Sequence, residues 1–214
     1  MSRFGYTTLM LSTLFTNPIV FIIWAISLVV ALTIHEYAHA KTADYLGDPT
    51  PRANGRITLD PRAHLDPLGT ILILIVGFGW GRPVEFDPYN LRNPKRDTAL
   101  IALAGPASNI VLAIILSILS SFLGAGSLIA SIIPLMIMMN ISLAIFNLVP
   151  VFPLDGEKIL KGFLPTELAV EYDNLMHQYG TLILIMLLLP IASGSSPISV
   201  LISPAISFVS NLLL

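Results

Sequence analysis

From Thr98 to Leu154 the chain contains no Asp, Glu, Lys, Arg or His. A run of that length cannot be the surface of a soluble domain. A bilayer core of about 30 Å needs about 20 helical residues, so the run is expected to hold two membrane helices, joined near the turn-prone Gly124-Ala-Gly126. The same test finds charge-free stretches from Phe4 to Ile34 and from Gln178 to Leu214. Asn17-Pro18 breaks the first and starts a helix that runs on through residues 35–40. Ser193 to Pro197 divides the last into two shorter helices. The first stretch reads as a retained span rather than a cleaved signal, because it continues into His35 without a small-residue cleavage site. Composition agrees: 55% of residues are hydrophobic and 11% charged, which places the chain among integral membrane proteins. A formal charge of −2 gives no basic field, so nucleic acid is not an expected partner.

The stretch 67–81 is too short to cross: as a helix it reaches roughly 22 Å, and it carries Gly69, Gly77, Gly79 and Gly81. Ahead of it, Gly55-Arg-Ile-Thr-Leu-Asp-Pro61 predicts a short strand or hairpin. If 67–81 is re-entrant, every Lys and Arg from Lys41 to Lys161 falls on one side and only Arg3 on the other. That is a strong positive-inside pattern, and a spanning 67–81 would nearly abolish it. The expected fold is therefore all-α and polytopic, with about five transmembrane helices plus a short re-entrant or hairpin segment. It forms a single domain over 1–214 in the cell membrane, with a core at about 18–160 and C-terminal helices at about 176–214.

Ionisable groups inside a span are costly and mark function by default. His35 and His39 are one helical turn apart on one face, so both imidazoles can reach one metal ion. Glu36 lies about 100° round the helix. That offset lets a carboxylate reach metal-activated water without ligating the metal, taking a proton and passing it to the leaving amine. With no cysteine in the chain, a metal site must use His, Asp or Glu, and a catalytic zinc site needs a third protein ligand. Asp155 is the first acid after the long uncharged run and the candidate third ligand. Pro150 and Pro153 predict that it sits on an unwound segment. Under the re-entrant topology His35, His39 and Asp155 meet near the same, cytoplasmic, face.

These motifs resemble the site-2 protease family of intramembrane zinc metalloproteases. The residues that carry the resemblance are His35-Glu36-Tyr-Ala-His39, Gly105-Pro106-Ala-Ser-Asn109 and the segment from Asn147 to Gly156. It covers roughly 18–160, and Gly55 to Pro61 and Gly79-Trp-Gly-Arg-Pro-Val are similar to the compact bacterial or archaeal branch without a PDZ domain. The resemblance implies one zinc per chain held by His35, His39 and Asp155, with Glu36 as general base. It implies a transmembrane protein or peptide substrate cut within or near the lipid membrane. It puts Asn109 at the site as oxyanion donor or substrate grip, against a plain interhelical hydrogen bond. Asn147 is expected to clamp substrate or brace the Asp155 loop, and His64 either approaches the site or belongs to interfacial structure. Asn140 reads as structural, His177 as an interface residue, and the last two helices as a substrate gate or the completion of the bundle. The competing functions for such a chain are a metal transporter and an inactive membrane scaffold.

Overall fold

The computed structural model describes residues 10–76, 79–123, 128–190 and 194–214. Gly77, the Gly124–Gly126 turn and Ser193 lie outside them. Among the described residues the helices are α1 (Met10–Thr16), α2 (Pro18–Leu46), α3 (Thr50–Ala53), α4 (Pro67–Val76), α5 (Pro94–Ser121), α6 (Leu128–Asn147), α7 (Asp155–Phe163), α8 (Thr166–Leu188) and α9 (Pro197–Leu213). Three of them, α2, α5 and α6 from Ile129 on, are long and apolar enough to cross a membrane.

The first long helix starts where Asn17-Pro18 predicts. The Asn17 side chain accepts from the Val20 N–H at 3.3 Å and Pro18 occupies the first turn, where no backbone donor is missed. Gly47, at φ 113°, ends it in a left-handed cap. The buried Asp48 then fastens this end to the approach to α5. Its carboxylate accepts from the backbone N–H groups of Thr50 and Asp87, the Thr50 hydroxyl and the Asn90 amide.

Helix α5 is the hub, packed on α2, α6 and α7, while α2 also meets α6, α9 lies on α6, and α8 touches α7 and α9. Ala113 and Leu116 of α5 bury against Ile133, Ile137 and Ile141 of α6. The bundle also buries amides and hydroxyls, with Ser27, Asn109 and Asn140 at 1%, 0% and 0% exposure, while Val111, Ile115 and Ile118 face outward. That is the distribution expected when the solvent is hydrocarbon and polar groups need partners inside the bundle.

The strand or hairpin expected at 55–61 is not formed. Residues 55–60 have no ladder partner, and Pro61–Ala63 is a single 3₁₀ turn. Among the described residues the pairing present is one isolated antiparallel bridge between Leu65 and Gly81, with the Arg82 N–H donating to the His64 carbonyl at 2.8 Å. Because Leu65 and Gly81 flank α4 and stand side by side, the chain returns to the level from which it left. The ten-residue α4 is about 15 Å long, about half the thickness of a bilayer core.

Two further expectations change. Asp155 is not on an unwound segment but opens α7, because the two prolines end at 153 and acids at 155 and 157 favour a helix N-terminus. Helix α8 begins at Thr166, about ten residues before the charge-free stretch, so its first half is polar.

Candidate metal centre

His35 and His39 project from the middle of α2 toward α5, and α5 makes room for them with Gly105. A Cβ at that position would stand 2.4 Å from His39 Nε2 and 2.7 Å from His35 Cε1, closer than real contacts allow. One turn along α5, Asn109 accepts the His35 Nδ1 hydrogen at 2.8 Å. The orientation of its amide is fixed by its other end, whose two hydrogens go to the Ala31 carbonyl and to Asn140 Oδ1, each at 2.9 Å. The Asn140 amide donates in turn to the Met136 carbonyl. His39 Nδ1 donates to the Ile101 carbonyl at 2.7 Å. Both imidazoles thus carry their hydrogen on Nδ1 and turn an Nε2 lone pair inward.

The third corner is Asp155. Its Oδ2 lies 3.0 Å from His35 Nε2 and 3.2 Å from His39 Nε2, and the two Nε2 atoms are 3.0 Å apart. With both Nδ1 atoms as donors, none of these three short contacts is bridged by a hydrogen. Asp155 Oδ2 is buried with no hydrogen-bond donor. The near-equilateral triangle matches one face of a small tetrahedron: bonds of about 2.0 Å to zinc put neighbouring ligand atoms about 3.3 Å apart. The three residues fit a zinc ion, and the fourth corner opens on a cavity.

That cavity measures about 700 Å³ and is bordered by α2, the extended residues 79–86, α6, α8 and Asp155. Trp24, Leu28, Leu32, His35, Glu36 and His39 line it along one face of α2, a groove of about 22 Å at 1.5 Å per residue. Glu36 is 8% exposed. Its Oε2 accepts from the Val84 N–H at 3.2 Å and lies 3.8 Å from the Arg56 guanidinium. Arg56, itself buried, donates to the carbonyls of Arg82 and Pro83 and so pins the 82–84 backbone beside Glu36.

Asn147 lines the same cavity, its amide donating to the Leu143 carbonyl. His64 does not line it: fully buried, its Nε2 bonds the Thr58 carbonyl and it serves the turn instead. Asn109 carries no free donor for an oxyanion, since both amide hydrogens are committed. Sequence reasoning assigned no role to Arg56, the Val84 N–H or the Ile101 carbonyl. The backbone groups leave no signal in residue type, and a lone Arg in a polar stretch looks solvated.

Comparison with known proteins gives a consistent set. The family model described as Peptidase family M50 matches residues 123–189. A Bacillus subtilis protein named "Putative zinc metalloprotease YwhC" is 38% identical over 171 residues, 76% of this chain and 78% of the relative. Rip2 of Mycolicibacterium smegmatis, named in the same form, is 30% identical over 178 residues, 79% of this chain and 68% of the relative. A solved structure, the site-2 protease from Methanocaldococcus jannaschii, aligns with a TM-score of 0.54 at 22% identity, covering 95% of this chain and 83% of that one. That likeness establishes a common fold.

Proposed function

The chain belongs to peptidase family M50, the site-2 type of zinc metalloprotease, and from that premise we propose that it cuts membrane-protein substrates within or near their transmembrane segments, using His35, His39 and Asp155 as zinc ligands and Glu36 as general base. The observation that carries the reading is the triangle of two Nε2 lone pairs and one unpartnered carboxylate oxygen, open on its fourth side to a cavity containing Glu36. Bound zinc supplies Lewis acidity, lowering the pKa of a water toward about 7 and polarising the scissile carbonyl.

The rest is done by the chain. Glu36 Oε2 is held by Val84 and Arg56, leaving Oε1 to take a proton from the attacking water and return it to the leaving amine. Asn109 acts through His35, fixing its tautomer and ring plane, and Asn140 fixes Asn109. Asn147 turns an amide oxygen to the substrate backbone. A helical substrate hides its carbonyls in hydrogen bonds, so it enters unwound and lies along residues 81–86. The apolar half of α8 and α9 serve as fourth and fifth spans in one membrane domain, and the metal centre lies toward the cytoplasmic face, where the cations of residues 41–161 gather.

The test is zinc per purified chain by elemental analysis, paired with cleavage of a transmembrane reporter peptide in proteoliposomes. The native chain should hold near one zinc and Asp155→Asn almost none. Glu36→Gln should keep the zinc and lose cleavage by about 10²–10⁴-fold. A chain without zinc after metal-replete purification would sink the reading. Zinc carried across the vesicle with no peptide cut would point to a transporter instead.

A further inference from the structure

The cavity that holds the metal triad is lined by apolar and aromatic side chains over most of its length, with Trp24 and Leu28 at one end of the α2 groove. A cation also faces into it. Lys158 lies on α7, one helical turn after Asp155, and its half-buried side chain carries the ammonium to 5.8 Å from the centre of the Phe86 ring. No carboxylate among the described residues stands within ion-pair reach of it. Its neighbour Lys161 shows the alternative, paired with Glu157 at 3.5 Å and with Asp173. Arg52 and Arg62 are likewise paired, with Asp44 and Asp60. The Phe86 ring meets this ammonium through its π face and supplies no counter-charge, so the cavity wall offers a cation to an incoming anion.

We propose that Lys158 is a specificity-determining residue that binds a carboxylate of the substrate peptide, on the side of the scissile bond toward α7. The inference rests on the protease reading above and deepens it by naming the substrate class: an unwound apolar segment with an acidic group close to the cut. The reach follows from the fold. Three residues of helix, about 4.5 Å of rise, and one lysine side chain separate the ammonium from Asp155. At about 3.3 Å per extended residue the carboxylate belongs within a few residues of the scissile carbonyl. Two sources present that chemistry, an internal Asp or Glu and the free carboxylate at a peptide end.

The experiment separates binding from cleavage by using the full-length, zinc-loaded Glu36→Gln chain in detergent micelles. Four fluorescently labelled apolar peptides of one sequence are titrated. Three have an amidated C-terminus and carry Asp, Asn or Lys at one position. The fourth carries Asn there and ends in a free carboxylate. The Asp peptide, the free-carboxylate peptide or both should bind about fivefold more tightly than the amidated Asn peptide, and which of them does identifies the source. Adding Lys158→Gln should erase that preference, and Lys158→Glu should make the Lys peptide the tightest. Equal binding of all four, no binding of any, or a preference that survives Lys158→Gln overturns the proposal. Zinc content and reporter cleavage by the native chain answer separately for the protease reading, so the two can fail independently.

Discussion

The two halves of the candidate metal centre are held in different ways. His35 and His39 share one 29-residue helix, so their spacing is covalent. Their outer nitrogens end in a closed set of buried hydrogen bonds running through Asn109, Asn140 and the Ile101 carbonyl. Asp155 arrives on the first turn of a nine-residue helix, after the irregular residues 148–154. That turn is kept in place by contacts from outside. Gly156 packs where a Cβ would meet the Leu148 carbonyl oxygen at 2.3 Å, the Tyr172 hydroxyl donates to the Pro150 carbonyl at 2.7 Å, and Gly180 of α8 lies against Phe152. The histidine half is preorganised within the long helices, whereas the aspartate half is docked onto it. A metal ion would cross-link the two.

If that contrast is right, removing a ligand from either half should cost most. His39→Ala and Asp155→Asn should each weaken zinc binding by more than about a hundredfold, measured by competition with a chelating dye. Next comes the glycine that gives the imidazoles their space. Gly105→Ala puts a methyl 2.4 Å from His39 Nε2 and should cost zinc affinity about a hundredfold with helical circular dichroism unchanged. Normal binding there would mean that α5 can retreat, and the histidine half would not be rigid.

Asn109→Ala leaves His35 Nδ1 without its acceptor and should cost about 10–100-fold in zinc affinity. Tyr172→Phe should do least. It removes one hydrogen bond to the docked turn, about 1 kcal/mol, or about fivefold in the chelator competition. Equal losses from Asn109→Ala and Tyr172→Phe would break the comparison, since they would make the docked turn as tightly specified as the buried network.

Much of this was legible before any coordinates. Asn17-Pro18 marked the start of α2, charge-free stretches located α5 and α6, and the motif reading named His35, His39 and Asp155, whose side chains the fold brings within about 3 Å of one another. Other features depended on neighbours that residue type does not reveal. Residues 55–61 carry strand-like side chains, but no second strand faces them, and a strand without a partner leaves its backbone unpaired. His64 was open in the sequence between an approach to the site and interfacial structure. Its burial against the Thr58 carbonyl was decided by the turn at Pro61–Ala63. Asn109 was open between a donor at the site and an interhelical hydrogen bond, and the fold commits both its amide hydrogens to Ala31 and Asn140.

By itself the sequence determined the apolar solvent, the three long apolar helices and the residue types that gather in the triad, because transfer energies and helical spacing are properties of the chain alone. Only the tertiary structure decided which nitrogen of each imidazole turns toward Asp155, what stands behind Glu36, and which wall of the cavity carries a cation. Those depend on hydrogen bonds and close approaches between residues as far apart as His35 and Asn109, or Glu36 and Val84. Such partners exist only once helices and loops have packed.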